Sequence, residues 1–286
     1  QNAAVIRIAR KRPMSVHSLA VHHHPSARPN GRPPLLFVHG AYTNAQCWQL
    51  HFVPFFNERG FDCYALDLSG HGESSGHDRI DDFGLDDYAD DVARAVAGLP
   101  ALPVLIGHSM GTQVVERYLT SGGQAAGVVL MAPVPPSGTG GSASRLALTR
   151  PDFFEELPNA VSGRPTEATF QVMTDIYFSP EMPHQELVEF LPMMECESDR
   201  AVAEMVALPF LRTGRRPAIP ALVMGGGVDA VFPPSMLFFT TLAWRAQSVT
   251  VPGCGHMLML DRPWPQAAEA LAGWLETTYP ARSSIT

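Results

Sequence analysis

Six short runs of strand length, most of them apolar, recur along this chain, and most are separated by stretches with helical periodicity. The runs occupy residues 35–38, 63–68, 103–107, 128–131, 221–224 and 248–251. The clearest helical stretch places apolar side chains three and four residues apart at Leu85, Tyr88, Val92, Val96 and Leu99. Repeated alternation of strand and helix predicts an α/β protein with a mostly parallel, doubly wound sheet.

The alternation breaks between the fourth and fifth runs. Residues 134–216 begin with turns rich in Gly, Ser and Pro and continue as short helical pieces rich in Phe, Leu and Met. A break of this length inside an α/β pattern is typical of an inserted cap or lid. We therefore expect a core made of residues 1–133 and 217–286, with a helical cap at 134–216, and 286 residues suffice for this arrangement.

Charge and hydropathy exclude several classes of protein. The formal charge is -8, and the first 32 residues contain six basic side chains and no acid, so the remaining chain is more acidic still. An acidic body disfavours a nucleic-acid partner. No uncharged apolar run approaches the ~20 residues of a spanning helix, so no membrane-spanning segment is expected. We expect a cytoplasmic protein, although the sequence leaves a processed amino terminus or export open. It also leaves open whether the protein is a monomer or a homodimer.

Neither a metal nor an organic cofactor is expected. The four cysteines are widely spaced and form no CxxC pair, which favours buried free thiols over a disulfide framework or a zinc site: Cys47, Cys63, Cys196 and Cys254. Three consecutive histidines at 22–24 would point to alternate faces of a strand and would not converge on one ion. The acids at Asp86, Asp87, Asp90 and Asp91 lack the spacing of a calcium loop and are expected to form a solvated helix face.

A strand–turn–helix segment carries the strongest chemical signal. The pattern Gly-x-Ser-x-Gly, with Ser109 between Gly107 and Gly111, directly follows one apolar run and precedes a helix. A serine on a sharp turn of this kind takes strained dihedral angles, and side chains at the two glycines would collide with neighbouring backbone. The amino end of the following helix also favours a developing negative charge. Ser109 is therefore the candidate nucleophile.

A serine nucleophile needs a base, and the base needs an orienting acid. Asp229 lies just beyond the run at 221–224, and His256 lies just beyond the run at 248–251. The carboxyl ends of parallel strands are where such sheets build their active sites. Other candidates are weaker: His39, His71 and Asp67 belong to turns, His108 is adjacent to the nucleophile, and Asp261 follows His256 too closely to orient it.

Together these motifs resemble the α/β-hydrolase superfamily over residues 35–279. The matching segments are Phe37-Val38-His39-Gly40, Asp67-Leu68-Ser69-Gly70-His71-Gly72-Glu73-Ser74, Gly107-His108-Ser109-Met110-Gly111, the Gly-Gly-x-Asp at Asp229, and Gly255-His256. The resemblance implies an eight-stranded type of sheet and a triad of Ser109 as nucleophile, His256 as general base and acid, and Asp229 as its orienting acid. It also implies an oxyanion hole from the backbone N–H groups of Ala41 and Met110, with Tyr42 a less favoured second donor.

The His-Gly-Ala-Tyr segment at 39–42 is more similar to capped enzymes resembling lysophospholipases and monoacylglycerol lipases than to the His-Gly-Gly-Gly esterases. We expect hydrolysis of a carboxylic ester with a medium-length hydrophobic acyl or aryl group. Candidate substrate contacts are Tyr42, Met173, Tyr177, Phe178, Met194 and Met257. The same triad would also serve cleavage of carbon–carbon bonds, lactones or amides, or perhydrolysis, and a non-catalytic ligand receptor remains a further alternative.

Overall fold

A mostly parallel sheet forms the centre of the molecule. The computed structural model describes residues 18–182, 188–207 and 215–280. The strands are β1 (Val21–His24), β2 (Leu35–Val38), β3 (Cys63–Leu66), β4 (Val104–His108), β5 (Gly127–Met131), β6 (Ala221–Gly226) and β7 (Gln247–Val251). Their order is β1-β3-β2-β4-β5-β6-β7, and β1 alone of these strands is antiparallel to its neighbour. This confirms the predicted fold class, with seven strands in the described residues instead of eight.

Helices cover both faces of this sheet. They are α1 (Gln46–Gln49), α2 (Phe52–Glu58), α3 (Leu85–Ala97), α4 (Met110–Thr120), α5 (Gly140–Thr149), α6 (Pro151–Val161), α7 (Glu167–Tyr177), α8 (Asp199–Ala207), α9 (Leu237–Trp244) and α10 (Trp264–Thr278), with 3-10 turns at His77–Asp82, Leu191–Met193 and Pro234–Met236. Helices α1, α2 and α10 pack on one face, and α3, α4 and α9 pack on the other. The sheet is therefore doubly wound, as the alternation predicts.

Strand burial explains why the apolar runs are continuous. All residues of β2, β4 and β5 are buried, because each strand has helices on both faces. Leu35 and Phe37 contribute to one core, and Leu36 and Val38 contribute to the other. Since these strands are parallel, their carboxyl ends lie at one edge of the sheet, which receives the loops that follow β2, β4, β6 and β7.

The insertion between β5 and β6 contains α5, α6, α7 and α8. Its apolar residues Phe153, Met173, Ile176 and Phe190 are buried in the same cluster as one face of the central sheet. The insertion therefore shares a core with the sheet.

Two expectations about polar side chains are wrong. Asp91 is buried, and its carboxylate accepts a hydrogen bond from the Ser69 N–H at 2.8 Å, so this acid does not belong to a solvated face. Cys196 is exposed, whereas the other three free cysteines are buried. In the segments that the structure describes, no helix is both long enough and apolar enough to cross a membrane.

Two of the three consecutive histidines, His22 and His23, contact different neighbours. The His22 Nε2 atom lies 2.8 Å from Asp67 Oδ2, whereas the His23 ring stacks on Tyr64. Within the described ranges, no group of three or more His, Cys, Asp or Glu side chains has an arrangement suited to a metal ion.

Candidate active site

Ser109 occupies the sharp turn between β4 and α4. Its φ and ψ angles are 50° and -118°, a strained conformation for a residue with a side chain. A Cβ atom at Gly107 would lie 2.5 Å from the Gly111 carbonyl oxygen, and one at Gly111 would lie 2.5 Å from that of Val38. The two glycines therefore permit the close packing that holds Ser109, a partly exposed residue, in this turn.

His256 and Asp229 form a buried pair at the same edge of the sheet. The distance between His256 Nδ1 and Asp229 Oδ2 is 2.9 Å, and both side chains are almost completely buried. The other carboxylate oxygen, Oδ1, accepts hydrogen bonds from the N–H groups of Val231 at 2.7 Å and Phe232 at 2.8 Å. These two backbone donors fix the carboxylate, which in turn fixes the orientation of the imidazole.

The loop that carries His256 is held by Asp261. This buried carboxylate accepts hydrogen bonds from the N–H groups of Gly255 at 2.6 Å and Ser179 at 2.9 Å, and from the Ser179 hydroxyl. The Met257 N–H also donates to the Tyr177 carbonyl at 3.0 Å. Asp261 thus joins the loop to the insertion and does not contact the His256 ring in any of these bonds.

His108 contacts the backbone of the same loop. Its Nε2 atom lies 3.0 Å from the His256 carbonyl oxygen. Burial, together with the neighbouring His256, holds the pKa of His108 well below its usual value, so its imidazole is neutral and Nε2 donates to this carbonyl. Because its Nε2–H is bonded to this carbonyl, His108 supports the backbone of the His256 loop.

The remaining sequence candidates stabilise loops. The Leu68 N–H donates to His39 Nε2, and burial, with a contribution from His71, lowers the pKa of His39 to about 4. Asp67 accepts hydrogen bonds from the N–H groups of Ala45 and Glu73. In the contacts described, His39 does not reach the Asp229 carboxylate, and Asp67 does not reach the His256 ring.

Two backbone segments that the resemblance assigns to an oxyanion hole adjoin Ser109. Ala41 follows Gly40, where an added Cβ would lie 3.0 Å from the Ser109 Cβ atom, so this loop packs against the serine. Met110 is the first residue of α4, and the N–H groups in the first turn of a helix have no intrahelical acceptor. A backbone N–H without an intrahelical acceptor is the kind of donor that stabilises a negatively charged oxygen.

A largely apolar cavity of about 280 Å³ opens at Ser109 and His256. Its walls are formed by Ala41, Tyr42, Thr43, His108, Ser109, Thr139, Ser142, Ala143, Leu146, Phe153, Phe154, Leu157, Tyr177, Phe190, Met194, Val202, Met205, Val231, Phe232, His256 and Met257. Most of these side chains come from the β5–β6 insertion. Burial raises the pKa of Tyr42 to about 12, so this wall carries a neutral phenol.

The structure separates the six candidate substrate contacts. Tyr42, Tyr177, Met194 and Met257 lie on the wall of the cavity. Met173 is buried in the core cluster. Phe178 lines a second cavity of about 140 Å³ together with Met182, Met193 and Trp264.

Sequence reasoning missed Phe232, whose ring lies 5.4 Å from that of His256. Its position three residues after Asp229, in a loop at the carboxyl edge of the sheet, was the available signal. It also missed α5, which contributes Ser142, Ala143 and Leu146 to the wall. The small residues of that helix gave no apolar pattern to detect.

Comparison with known proteins agrees with this fold. The family described as "Alpha/beta hydrolase family" matches residues 35–270. The chain belongs to the alpha/beta hydrolase family. A curated relative, the non-heme chloroperoxidase of Burkholderia pyrrocinia, is 36% identical over 117 residues, which cover 38% of this chain and 40% of that enzyme. The chain thus matches less than half the length of this relative.

Two solved structures share the fold of this hydrolase-family chain. An esterase from Exiguobacterium antarcticum superimposes with a TM-score of 0.71 at 19% identity, covering 91% of this chain and 96% of the esterase. A monoacylglycerol lipase from Paleococcus ferrophilus superimposes with a TM-score of 0.67 at 18% identity, covering 91% of this chain and 99% of the lipase. At these identities the similarity shows the fold alone.

Proposed function

We propose that this protein is a serine hydrolase that cleaves carboxylic esters, with Ser109 as nucleophile, His256 as general base and acid, and Asp229 as the orienting acid. The observation that carries the proposal is the buried 2.9 Å contact between His256 and Asp229, next to a cavity whose wall contains both Ser109 and His256. Family membership and the fold of the two hydrolase structures support it.

The reaction has two stages. His256 takes the proton of the Ser109 hydroxyl through Nε2 as the serine oxygen attacks the ester carbonyl carbon, and the Ala41 and Met110 N–H groups bind the resulting oxyanion. His256 then protonates the leaving alcohol, which yields an acyl-enzyme. Water, activated by the same imidazole, releases the acid and regenerates Ser109. The Asp229 carboxylate stabilises the imidazolium formed in both stages and requires no metal for this role.

The cavity supports a neutral, hydrophobic substrate. Phe153, Leu157, Met194 and Met205 offer apolar, partly adaptable surfaces. We therefore propose that the insertion acts as a cap that selects an acyl or aryl group of medium length. The acidic balance of the chain beyond residue 32 is compatible with an uncharged ester and disfavours an anionic one.

A second candidate reaction is perhydrolysis, which the match to the chloroperoxidase favours. In this reaction hydrogen peroxide replaces water in the second stage and attacks the acyl-enzyme carbonyl. His256 accepts the peroxide proton and returns it to the departing Ser109 oxygen, so that the products are a peracid and free Ser109. Formation of peracid from an ester and hydrogen peroxide, lost on Ser109→Ala, would establish it.

The test of the main proposal is a panel of p-nitrophenyl acetate, butyrate, octanoate and palmitate with the wild type and Ser109→Ala. We expect the highest kcat/KM at medium chain length and a loss of at least about 10³-fold in the variant. A preference for acetate would contradict the proposed substrate class. Unchanged turnover by Ser109→Ala would contradict the mechanism.

A further inference from the structure

The chain leaves the cavity wall through residues 194–198, which we call the return segment. Met194 lies on the wall of the cavity. The next residue, Glu195, contacts the loops that follow β2 and β3, the first of which contains Ala41. A residue that lies far away in sequence, within the insertion, is therefore in contact with the loop proposed to bind the oxyanion.

Glu195 makes three polar contacts with these two loops. Its backbone N–H donates to the Tyr42 carbonyl oxygen at 2.9 Å. Its Oε1 atom accepts a hydrogen bond from the Asn44 amide at 2.6 Å, and its Oε2 atom accepts one from the Gly72 N–H at 2.9 Å. One side chain thus connects two neighbouring loops, and both of its oxygens are used.

The loop after β2 needs such support because its backbone is strained. Tyr42 has a φ of 63°, a left-handed conformation that is unfavourable for a residue with a side chain and persists only when its surroundings enforce it. The Ala41 N–H lies one residue before this position. Relaxation at Tyr42 would therefore shift the adjoining Ala41 peptide.

A second acid anchors the return segment. Glu197 is buried, and its Oε1 atom accepts hydrogen bonds from the Tyr88 hydroxyl and the Ser198 N–H, both at 2.8 Å. Its Oε2 atom lies 3.2 Å from His71 Nε2. Burial opposes charge on both groups, but their mutual attraction outweighs it, raising the pKa of His71 and lowering that of Glu197. The segment that carries Glu195 is thus held by a charged pair on the core.

We propose that Glu195 is a positioning residue for the oxyanion hole: it holds the Asn44 side chain and the Tyr42 peptide so that the Ala41 N–H points at the oxygen of the tetrahedral intermediate. This inference rests on the proposed role of Ala41 and Ser109. It makes the insertion part of the catalytic geometry as well as a wall for the substrate. Glu195 itself does not touch the reacting atoms.

The test compares Glu195→Ala and Glu195→Gln with Glu155→Ala, which removes an exposed acid from α6 in the same insertion. Three quantities are measured for each protein: kcat and KM for a p-nitrophenyl ester, the rate of Ser109 phosphonylation by a fluorophosphonate, and Tm. The phosphonylation rate also depends on the oxyanion hole but does not require that the natural substrate be an ester.

For Glu195→Ala we expect kcat to fall about 10- to 100-fold, less than the loss of a whole oxyanion donor, while KM changes by less than about threefold. The phosphonylation rate should fall by a similar factor. Glu195→Gln should give a smaller loss, because its amide oxygen keeps one of the two acceptors. A loss should remain, because its NH₂ group opposes the other donor. Glu155→Ala should match the wild type.

A kcat for Glu195→Ala within about twofold of the control, or a loss confined to KM, would overturn the inference. If Glu195→Ala does not fold, wild-type kcat and phosphonylation in Glu195→Gln would overturn it equally. A lower Tm with unchanged rates would show a structural role only and would also contradict it. A wild-type protein that is not labelled at Ser109 would refute the proposed function, and the inference with it.

Discussion

Replacement of Asp229 by asparagine removes a charge without changing the shape of the side chain. In the wild type, Oδ1 accepts hydrogen bonds from the Val231 and Phe232 N–H groups, and Oδ2 lies 2.9 Å from His256 Nδ1. The introduced amide must place its oxygen towards the two backbone donors, because the opposite rotamer would set its NH₂ group against them. The NH₂ group then faces His256 Nδ1.

This orientation reverses the tautomer of the base. With a donor opposite Nδ1, the imidazole carries its proton on Nε2 and has no lone pair there to accept the proton of Ser109. A change of this kind in a serine triad lowers kcat by about 10⁴-fold, which corresponds to about 5 kcal/mol of lost transition-state stabilisation. KM should change little, because the shape of the side chain is retained.

The assay is steady-state kinetics of Asp229→Asn with a p-nitrophenyl ester, with Tm measured to confirm that the fold is retained and Ser109→Ala as the inactive reference. The reasoning would be refuted if the variant kept the wild-type Tm and more than about a tenth of the wild-type kcat. That result would mean that another group orients His256.

Three further variants, the first with a matched control, test the packing, the cavity and the titration of a buried acid. Gly226→Ala would place a Cβ atom 2.1 Å from the Gly255 carbonyl oxygen, so we expect Tm to fall by about 5 °C or more, while Gly273→Ala, where nothing lies within 4 Å, should not lower it. Ala143→Phe adds a ring to the cavity wall and should lower the ratio of octanoate to butyrate kcat/KM at least about tenfold. Burial raises the pKa of Asp91 to about 6 from an ordinary 3.8, so the folded protein loses stability as pH rises through this interval. The Tm of Asp91→Asn relative to the wild type should therefore increase between pH 4.5 and 7.5.

Local patterns were sufficient to predict the fold and the positions of the candidate triad. The apolar runs of β4 and β6, the strand-length run of β7 and the helices between them are visible in the sequence. Parallel strands bring the residues that follow them to one edge. Ser109, Asp229 and His256 could be placed there for that reason. The glycines at 107 and 111 added a second local signal, since each lies too close to neighbouring backbone for a side chain.

Contacts between distant segments were not predictable in this way. Asp91 reads as a member of an exposed acidic face, yet its partner is the Ser69 N–H on another loop. Glu195 lies 123 residues from Gly72, to which it is hydrogen-bonded. Likewise, the composition of the insertion does not indicate that Met194 faces the cavity while Met173 is buried elsewhere. Such assignments depend on how the insertion packs on the sheet.

The central claim is that Ser109 forms a covalent acyl-enzyme. It is tested most directly by mixing the protein with a p-nitrophenyl ester of medium chain length, quenching in acid during the initial burst, and locating the acyl group by tandem mass spectrometry. The proposed mechanism predicts an acyl adduct on Ser109 in the wild type, with no adduct at this position in Ser109→Ala. An adduct on a different side chain, or ester turnover with no acylated serine at any time, would contradict it.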